Sequence, residues 1–155
     1  MSPSHTGHPS GSQALLPLHF PLWGSRLIEA SAGTGKTWTI AALYLRLVLG
    51  HGAGNGFAKP LMPPDILVMT FTRAATRELS DRIRARLIEA VQCFRGEAEP
   101  AAHDSFLREL RDAYPEGSAR DTAAWRLDMA AQCMDDAAIH TIDAWCQRML
   151  REHAF

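Results

Sequence analysis

A glycine-rich segment that contains one of the two lysines of the chain carries the clearest chemical signal. It matches the phosphate-loop pattern, with alanine at the first position, over Ala30, Ser31, Ala32, Gly33, Thr34, Gly35, Lys36 and Thr37. Glycines in such a turn allow backbone N–H groups to face phosphate oxygens, and the start of a following helix adds a partial positive charge. The segment therefore predicts a site for the phosphates of a nucleotide.

Two side chains of this segment have predicted roles in chemistry. Lys36 can reach the β- and γ-phosphates, so it is the predicted catalytic residue, and the Thr37 hydroxyl is placed to bind the Mg²⁺ that bridges them. ATP and Mg²⁺ are thus the predicted cofactors, bound by residues 30–37. The alternative, a glycine-rich turn that merely contains a lysine, does not account for the threonine.

Hydrolysis of ATP also needs a carboxylate after an apolar strand, to hold Mg²⁺ and position water. Asp143 is the candidate that the sequence offers. However, His140 and Thr141 interrupt the apolar run before it, so we do not assign this role to Asp143.

The elements that must position these residues alternate between strands and helices. A strand is predicted at Arg26–Ala30, before the phosphate loop, and a helix at Trp38–Leu49, which Gly50 ends. The apolar run Ile66–Phe71 predicts a second strand. The rest of the chain predicts an amphipathic helix over 73–94, two weaker helical segments at 105–114 and 123–134, a third strand over 137–142 and a final helix.

This order predicts an α/β fold, in which helices flank the parallel sheet of a P-loop NTPase and a small helical insert interrupts it. About three strands are predicted, whereas such a domain normally has five or more, so we expect an incomplete domain. Residues 1–14 are rich in Ser, Pro, Gly and His and are predicted to form a disordered leader. Residues 15–155 are then a partial ATP-binding domain.

Composition narrows the class of protein. The chain has 155 residues, of which 46% are hydrophobic and 21% charged, and its net charge of −1 means that any contact with nucleic acid is local. Three cysteines without C-x-x-C spacing and seven scattered histidines argue against a disulfide framework and a zinc site. The longest apolar run is too short to cross a bilayer, and a signal sequence is not apparent, so we expect a cytoplasmic protein without membrane contact.

A second motif distinguishes among P-loop proteins. Residues 68–79, V-M-T-F-T-R-A-A-T-R-E-L, resemble motif Ia of superfamily-one DNA helicases of the UvrD and RecB type. Residues 27–37 and 137–150 are similar in particular to the RecB family, the exodeoxyribonuclease V beta subunits, and the resemblance extends over about 15–155. It implies a RecA-like fold that comprises the first part of helicase domain 1A and the start of a helical 1B-like insert.

The resemblance also implies a function. Members of this family are ATP-dependent helicases and nucleases that act on double-stranded DNA ends in break repair and recombination, with RecC- and RecD-like partner subunits. Phe71, Thr72 and Arg73 are the implied DNA-binding residues: the ring stacks on an unpaired base, while the hydroxyl, the arginine and the helix start bind a phosphate of single-stranded DNA. The family's later catalytic carboxylates and arginines lie outside this segment. We therefore expect the isolated chain to bind nucleotide weakly and to hydrolyse almost none.

Two features depart from the family pattern or stay open. Asp143 occupies a position where RecB-like sequences usually have histidine, and an acid there argues against a DNA contact at the third segment. Arg73, Arg77 and Arg84 share one helix face. We favour a solvated face whose arginines pair with Glu78 and Asp81, with DNA contact as the alternative.

Two other functions are alternatives for this sequence. A small P-loop kinase would also use the phosphate loop, but the segment Thr70–Thr72 argues against it. A truncated, catalytically inactive P-loop remnant is the non-enzyme alternative, and the missing acidic motif favours it.

Overall fold

The computed structural model describes residues 15–29 and 35–153. In these ranges the chain forms five α-helices and two short strands: α1 Lys36–Leu49, β1 Val68–Thr70, α2 Arg73–Phe94, α3 Ser105–Asp112, α4 Ser118–Gln132, β2 Ile139–Thr141 and α5 Ile142–Glu152. The predicted leader, residues 1–14, and the first half of the phosphate loop, Ala30, Ser31, Ala32, Gly33 and Thr34, lie outside the described residues. Among the described residues, every helix is either too short or too polar to cross a membrane.

The two strands form a parallel pair. Val68 is the register partner of Ile139, and Thr70 is the partner of Thr141. Parallel strands require a crossover connection, and here α2, α3 and α4 provide it. The expected α/β character and the helical insert are thus present, but the strands are shorter than the predicted 66–71 and 137–142.

The prediction of a strand at Arg26–Ala30 is wrong for the described residues 26–29. Residues 26–29 have no regular secondary structure, and Ala30 lies outside the described residues. Leu27 is 81% exposed, so this segment is not buried between two layers as a central strand would be. A strand needs a neighbour for its N–H and C=O groups, and in the described part of the chain nothing pairs with residues 26–29.

The core lies where α1, α2, α3 and α4 meet. Each helix buries apolar residues at a spacing of three or four, which is the pattern of an amphipathic helix. The most completely buried of them are Ala42, Leu45 and Val48 of α1, Ile83, Leu87 and Ala90 of α2, Leu107 and Leu110 of α3, and Leu127 and Ala130 of α4. Ala75, in the first turn of α2, is exposed, so the buried face of this helix begins at Leu79.

The end of α1 holds the segment that precedes the phosphate loop. Arg46 is completely buried, and its guanidinium donates hydrogen bonds to the carbonyl oxygens of Pro17 at 2.8 Å, Phe20 at 2.5 Å and Asn55 at 3.2 Å. The Trp23 indole N–H donates to the Gly54 carbonyl at 3.0 Å. These bonds attach residues 17–23 to the loop that follows α1. Gly50 ends the helix as predicted, in the left-handed conformation with φ of 65°.

Candidate functional site

The second half of the phosphate loop forms the start of α1. Gly35 precedes the helix with φ of 84°, a left-handed conformation that favours glycine. Its carbonyl accepts a hydrogen bond from the N–H of Thr39 at 2.9 Å, so the helical pattern begins at this glycine. Lys36 and Thr37 are the first two residues of the helix, the lysine exposed and the threonine half-buried.

This helix start is suited to an anion. The first turn of α1 contains no acidic residue, and a Cβ added to Gly35 would meet nothing within 4 Å among the described atoms. The N–H groups of a helix start carry a partial positive charge, to which Lys36 adds a full one. The charge of this helix start fits a phosphate group, and the Thr37 hydroxyl has the kind of oxygen that Mg²⁺ prefers.

The first turn of α1 also contacts the other helices through Trp38. The indole ring packs edge-on against Phe106 of α3, with ring centres 5.9 Å apart. The guanidinium carbon of Arg86, on α2, lies 5.5 Å from the centre of the Trp38 ring. Sequence reasoning missed this contact, because it joins residues that are far apart in the chain.

The turn after β1 presents an exposed aromatic ring. Phe71 is 89% exposed, between the end of the strand and the start of α2. Hydrogen bonds hold the turn on both sides of the ring: the Thr72 hydroxyl oxygen accepts from the N–H of Ala75 at 3.0 Å, and the Thr76 hydroxyl donates to the Thr72 carbonyl at 3.1 Å. The Thr70 and Thr76 hydroxyls are 2.5 Å apart. Phe71 therefore belongs to the surface and not to the core.

Thr72 and Arg73 complete this turn. Thr72 caps α2 through its hydroxyl oxygen, which leaves its hydrogen available to an outside acceptor. Arg73 is the first residue of α2 and is exposed. Three consecutive residues thus present an aromatic ring, a hydroxyl hydrogen and a positive charge at the surface.

The turn after β2 also has a threonine that caps the following helix. Thr141 caps α5, and its hydroxyl oxygen accepts from the N–H of Ala144 at 3.1 Å. Because Thr70 and Thr141 are register partners in a parallel pair, α2 and α5 begin side by side at the same edge of the sheet. Asp143 is exposed in the first turn of α5, where its carboxylate accepts from the Gln147 side chain at 3.3 Å.

A groove of about 520 Å³ runs between α2 and β2. One wall is a single face of α2, and the other comes from β2 and its flanking residues. The groove is lined by Arg73, Thr76, Arg77, Ser80, Asp81 and Arg84 from α2, and by Met134, Asp135, Ala137, Ile139, His140, Thr141 and Ala144 from the second half of the chain.

The predicted pairing of Arg73, Arg77 and Arg84 with Glu78 and Asp81 is wrong in the described part of the chain. Glu78 pairs with Arg82, at 3.9 Å, but Arg84 pairs with Asp135 at 2.5 Å instead of with Asp81. In residues 15–29 and 35–153, no carboxylate lies within ion-pair distance of Arg77, and the same holds for Arg73. Asp135 is 51 residues from Arg84, so helical spacing alone could not identify it as the partner.

Comparison with known proteins identifies the family. The profile of the UvrD/REP helicase N-terminal domain matches residues 12–155. The chain is 48% identical to the RecBCD enzyme subunit RecB of Escherichia coli K12 over 145 residues, which are 93% of this chain and 12% of that protein. The subunit of the same name from Haemophilus influenzae is 45% identical over 142 residues, 91% of this chain and 12% of that protein.

A relative with lower sequence identity has the same name. The RecBCD enzyme subunit RecB of Mycobacterium tuberculosis H37Rv is 35% identical over 127 residues, 81% of this chain and 10% of that protein. The chain thus spans about an eighth of the length of the two bacterial relatives named first. The resemblance to UvrD- and RecB-type helicases is confirmed, and the chain belongs to the UvrD/REP helicase N-terminal domain family.

Proposed function

We propose that this chain is the ATP-binding segment of an ATP-dependent DNA helicase of the RecB type. The observation that carries the proposal is the start of α1 at Gly35, Lys36 and Thr37, which puts the end of the phosphate-loop motif at a helix N-terminus in a member of a helicase family. Residues 15–155 are then part of helicase domain 1A, and α3 and α4 are the start of its 1B-like insert.

Residues 30–37 bind the phosphates in this proposal. Lys36 places its ammonium group on the β- and γ-phosphates, and Thr37 contributes a hydroxyl ligand to Mg²⁺. The left-handed Gly35 and the absence of an acid from the first turn of α1 support this assignment. When bound, Mg-ATP supplies the phosphoanhydride bond whose hydrolysis drives the motor.

Phe71, Thr72 and Arg73 bind single-stranded DNA in this proposal. The exposed ring of Phe71 is available to stack on a base, and the start of α2 with Thr72 is available to a phosphate. An exposed phenylalanine in a turn held by threonine hydrogen bonds costs little conformational entropy when a base stacks on it, because the backbone is already ordered. Asp143, at the neighbouring helix start, disfavours a second phosphate there.

The role of the whole protein rests on its relatives. Their name, RecBCD enzyme subunit RecB, supports an assembly with RecC- and RecD-like subunits. From the family resemblance we further propose that the whole protein is a helicase and nuclease that acts on double-stranded DNA ends in break repair and recombination. Within this proposal, the described chain contributes nucleotide binding and a first contact with DNA.

Titration calorimetry with Mg-ATP tests the nucleotide site. Lys36→Ala should abolish binding without unfolding the chain, since Lys36 is exposed and touches ligand instead of core. Lys59→Ala, which removes the other exposed lysine, is the matched control and should bind as the parent does. Circular dichroism on the same samples checks the fold. Unchanged affinity in Lys36→Ala would remove the phosphate-loop assignment.

Fluorescence anisotropy with a labelled oligothymidine tests the DNA contact. Phe71→Ala should weaken binding by about 1–3 kcal/mol if a base stacks on the ring. Phe57→Ala removes another exposed phenylalanine, in the loop after α1, and should have no effect. Equal affinities for the two variants would contradict the stacking role. ATP turnover with DNA present should stay near background, and stimulated turnover would show that the chain holds an unassigned catalytic acid.

A further inference from the structure

The first turn of α1 carries the proposed phosphate site, but the residue before it cannot cap it. Gly35 has no side chain with which to accept a hydrogen bond from the helix start. The segment that leads to the loop gives little support, since residues 26–29 have no regular structure and Leu27 is mostly exposed. Because Lys36 is exposed as well, the position of this turn depends on the residues that follow the motif.

Trp38, the residue after Thr37, connects this turn to two other helices. The planes of its indole ring and the Phe106 ring, in α3, meet at 73°, with ring centres 5.9 Å apart. The guanidinium carbon of Arg86, in α2, lies 5.5 Å from the centre of the same indole ring. Both arrangements are favourable, because the face of an aromatic ring attracts the edge of a second ring and also attracts a cation.

The two groups that contact the indole ring are themselves held in the core. Phe106 is 4% exposed, and Arg86 is paired with Asp104, the residue that caps α3. Trp38, by contrast, is 44% exposed. Its ring therefore rests on buried groups of α2 and α3 on one side and meets solvent on the other, so these groups determine where the first turn of α1 lies.

We infer that Trp38 is a positioning residue for the phosphate site, through which α2 and the start of the helical insert fix the first turn of α1. The inference rests on the nucleotide binding proposed above and adds a residue outside the phosphate-loop motif. A phosphate at a helix start binds the N–H groups of that turn, and groups that are already ordered lose less entropy when they bind. Nucleotide affinity therefore depends on a contact between α1 and α3 that lies outside the motif.

Calorimetric titrations with Mg-ATP and with Mg-tripolyphosphate measure this role. Trp38→Ala removes the ring and should weaken the binding of both ligands by the same factor, about two- to tenfold, which corresponds to the loss of one aromatic contact. Because tripolyphosphate has no base, an equal loss assigns the effect to the phosphates. Trp38→Phe keeps a ring against Phe106 and Arg86 and should restore most of the affinity.

Ile40→Ala is the matched control. Ile40 lies two residues after Trp38 in α1, and its exposure of 37% is close to the 44% of the tryptophan. Its replacement should leave both affinities unchanged. Circular dichroism and urea unfolding of the same samples establish that each variant is titrated in its folded state.

A double-mutant cycle distinguishes positioning from a general loss of stability. Phe106→Leu keeps an apolar side chain in the core but removes the ring that Trp38 contacts. It should weaken Mg-ATP binding by a factor similar to that of Trp38→Ala. The variant with both changes should bind no more weakly than either single variant, because both changes remove the same contact.

The outcomes separate this inference from the proposed function. Unchanged affinities in Trp38→Ala, while Lys36→Ala loses binding, would overturn the role of Trp38 and leave the phosphate site intact. A loss for Mg-ATP but not for Mg-tripolyphosphate would show that Trp38 contacts the base directly. Multiplied losses in the double variant would show that the indole does not act through Phe106, and either of these two results would make the inference wrong. Absence of Mg-ATP binding by the parent chain would remove both the inference and the proposed function.

Discussion

Arg86 donates two hydrogen bonds to the carboxylate of Asp104, at 2.5 and 3.1 Å, and this ion pair joins the middle of α2 to the start of α3. The two side chains are only 8% and 6% exposed. Asp104 also caps α3, because its carboxylate accepts from the N–H of Leu107 at 3.1 Å. The guanidinium carbon lies 5.5 Å from the centre of the Trp38 ring and 5.8 Å from that of Phe106, so one carboxylate and two aromatic rings lie around this buried charge.

Breaking this pair should destabilise the chain strongly. Asp104→Ala leaves the Arg86 charge buried with only the half-exposed Glu89 as a carboxylate partner, and we expect the free energy of unfolding to fall by about 3–5 kcal/mol. Urea unfolding followed by circular dichroism measures this change. Asp128→Ala breaks the more exposed pair with Arg95 and should cost about 1 kcal/mol or less. Similar losses in the two variants would show that burial does not set the strength of the pair.

Stability should also depend on pH through Asp104. Burial alone raises the pKa of this carboxyl. The hydrogen bonds from Arg86 and the Leu107 N–H lower the pKa by more than burial raises it, so the pKa lies below its ordinary value of 3.8. A carboxyl whose pKa is depressed in the folded state stabilises that state above its unfolded pKa and loses this contribution as the pH falls.

The free energy of unfolding should therefore decrease as the pH is lowered from about 4 through the depressed pKa. Asp104→Asn, which cannot ionise, should be less stable at neutral pH and should lack this part of the pH dependence. Urea midpoints between pH 2.5 and 7 measure both effects. If the two proteins lost stability in parallel below pH 4, the titrating group would be a different carboxyl.

The position of the buried Arg46 side chain should make Gly52 sensitive to substitution. Gly52 has φ of 127°, and a Cβ at this position would collide with the Arg46 guanidinium. Gly52→Ala should therefore lower the free energy of unfolding by about 1–3 kcal/mol. Gly54→Ala, in the same loop, adds a Cβ to open space and should change it by less than about 0.5 kcal/mol. Thermal unfolding of the pair distinguishes the two positions, and equal effects would contradict the guanidinium contact.

Replacement of Arg46 itself should be costly even when the charge is kept. A lysine offers a single ammonium group, which cannot donate to the Pro17, Phe20 and Asn55 carbonyls at the same time as the guanidinium fork does. Arg46→Lys should consequently lower the free energy of unfolding and increase proteolysis within residues 15–29. Stability equal to that of the parent would mean that water or a rearranged loop satisfies these carbonyls.

Thr72 should have a measurable structural role besides its proposed DNA contact. Thr72→Ala removes the cap of α2 and should cost about 0.5–2 kcal/mol in the free energy of unfolding. Thr72→Ser keeps the hydroxyl oxygen and should retain most of the stability. Thr122→Ala, at an exposed position in α4, controls for loss of a threonine in general. Thermal denaturation compares the three, and a stable Thr72→Ala would show that the cap contributes little.

Local signals predicted α2 well, because several of them coincide. The apolar spacing predicted a helix over 73–94, and the structure has these bounds, with Thr72 as the N-cap. Strand lengths were harder to predict. Ile66 and Phe71 flank β1 but do not pair, since the extent of a strand depends on which neighbour lies beside it and not on its own apolar residues.

In the candidate site too, local sequence patterns identified neighbouring residues but not contacts between distant ones. Lys36 and Thr37 are adjacent in the chain, as are Phe71 and Thr72, so a short pattern can identify each pair. The Arg46 hydrogen bonds to Pro17 and Phe20, by contrast, join residues 29 and 26 positions apart. In the sequence, Arg46 is a single charge within the apolar stretch 38–49, and only folding shows that carbonyl oxygens accept its hydrogen bonds.

The length of α2 has a mechanical consequence. Its 22 residues correspond to a rod of about 33 Å that contains neither glycine nor proline. Phe71 and Thr72 lie at one end, while Arg86 in the middle and Arg95 just beyond the other end are bonded to the helical insert and its flank. Because the helix contains no residue that favours a kink, it connects its two ends as one continuous element. The turn that presents Phe71 and the helical insert are therefore attached to the two ends of one rigid element.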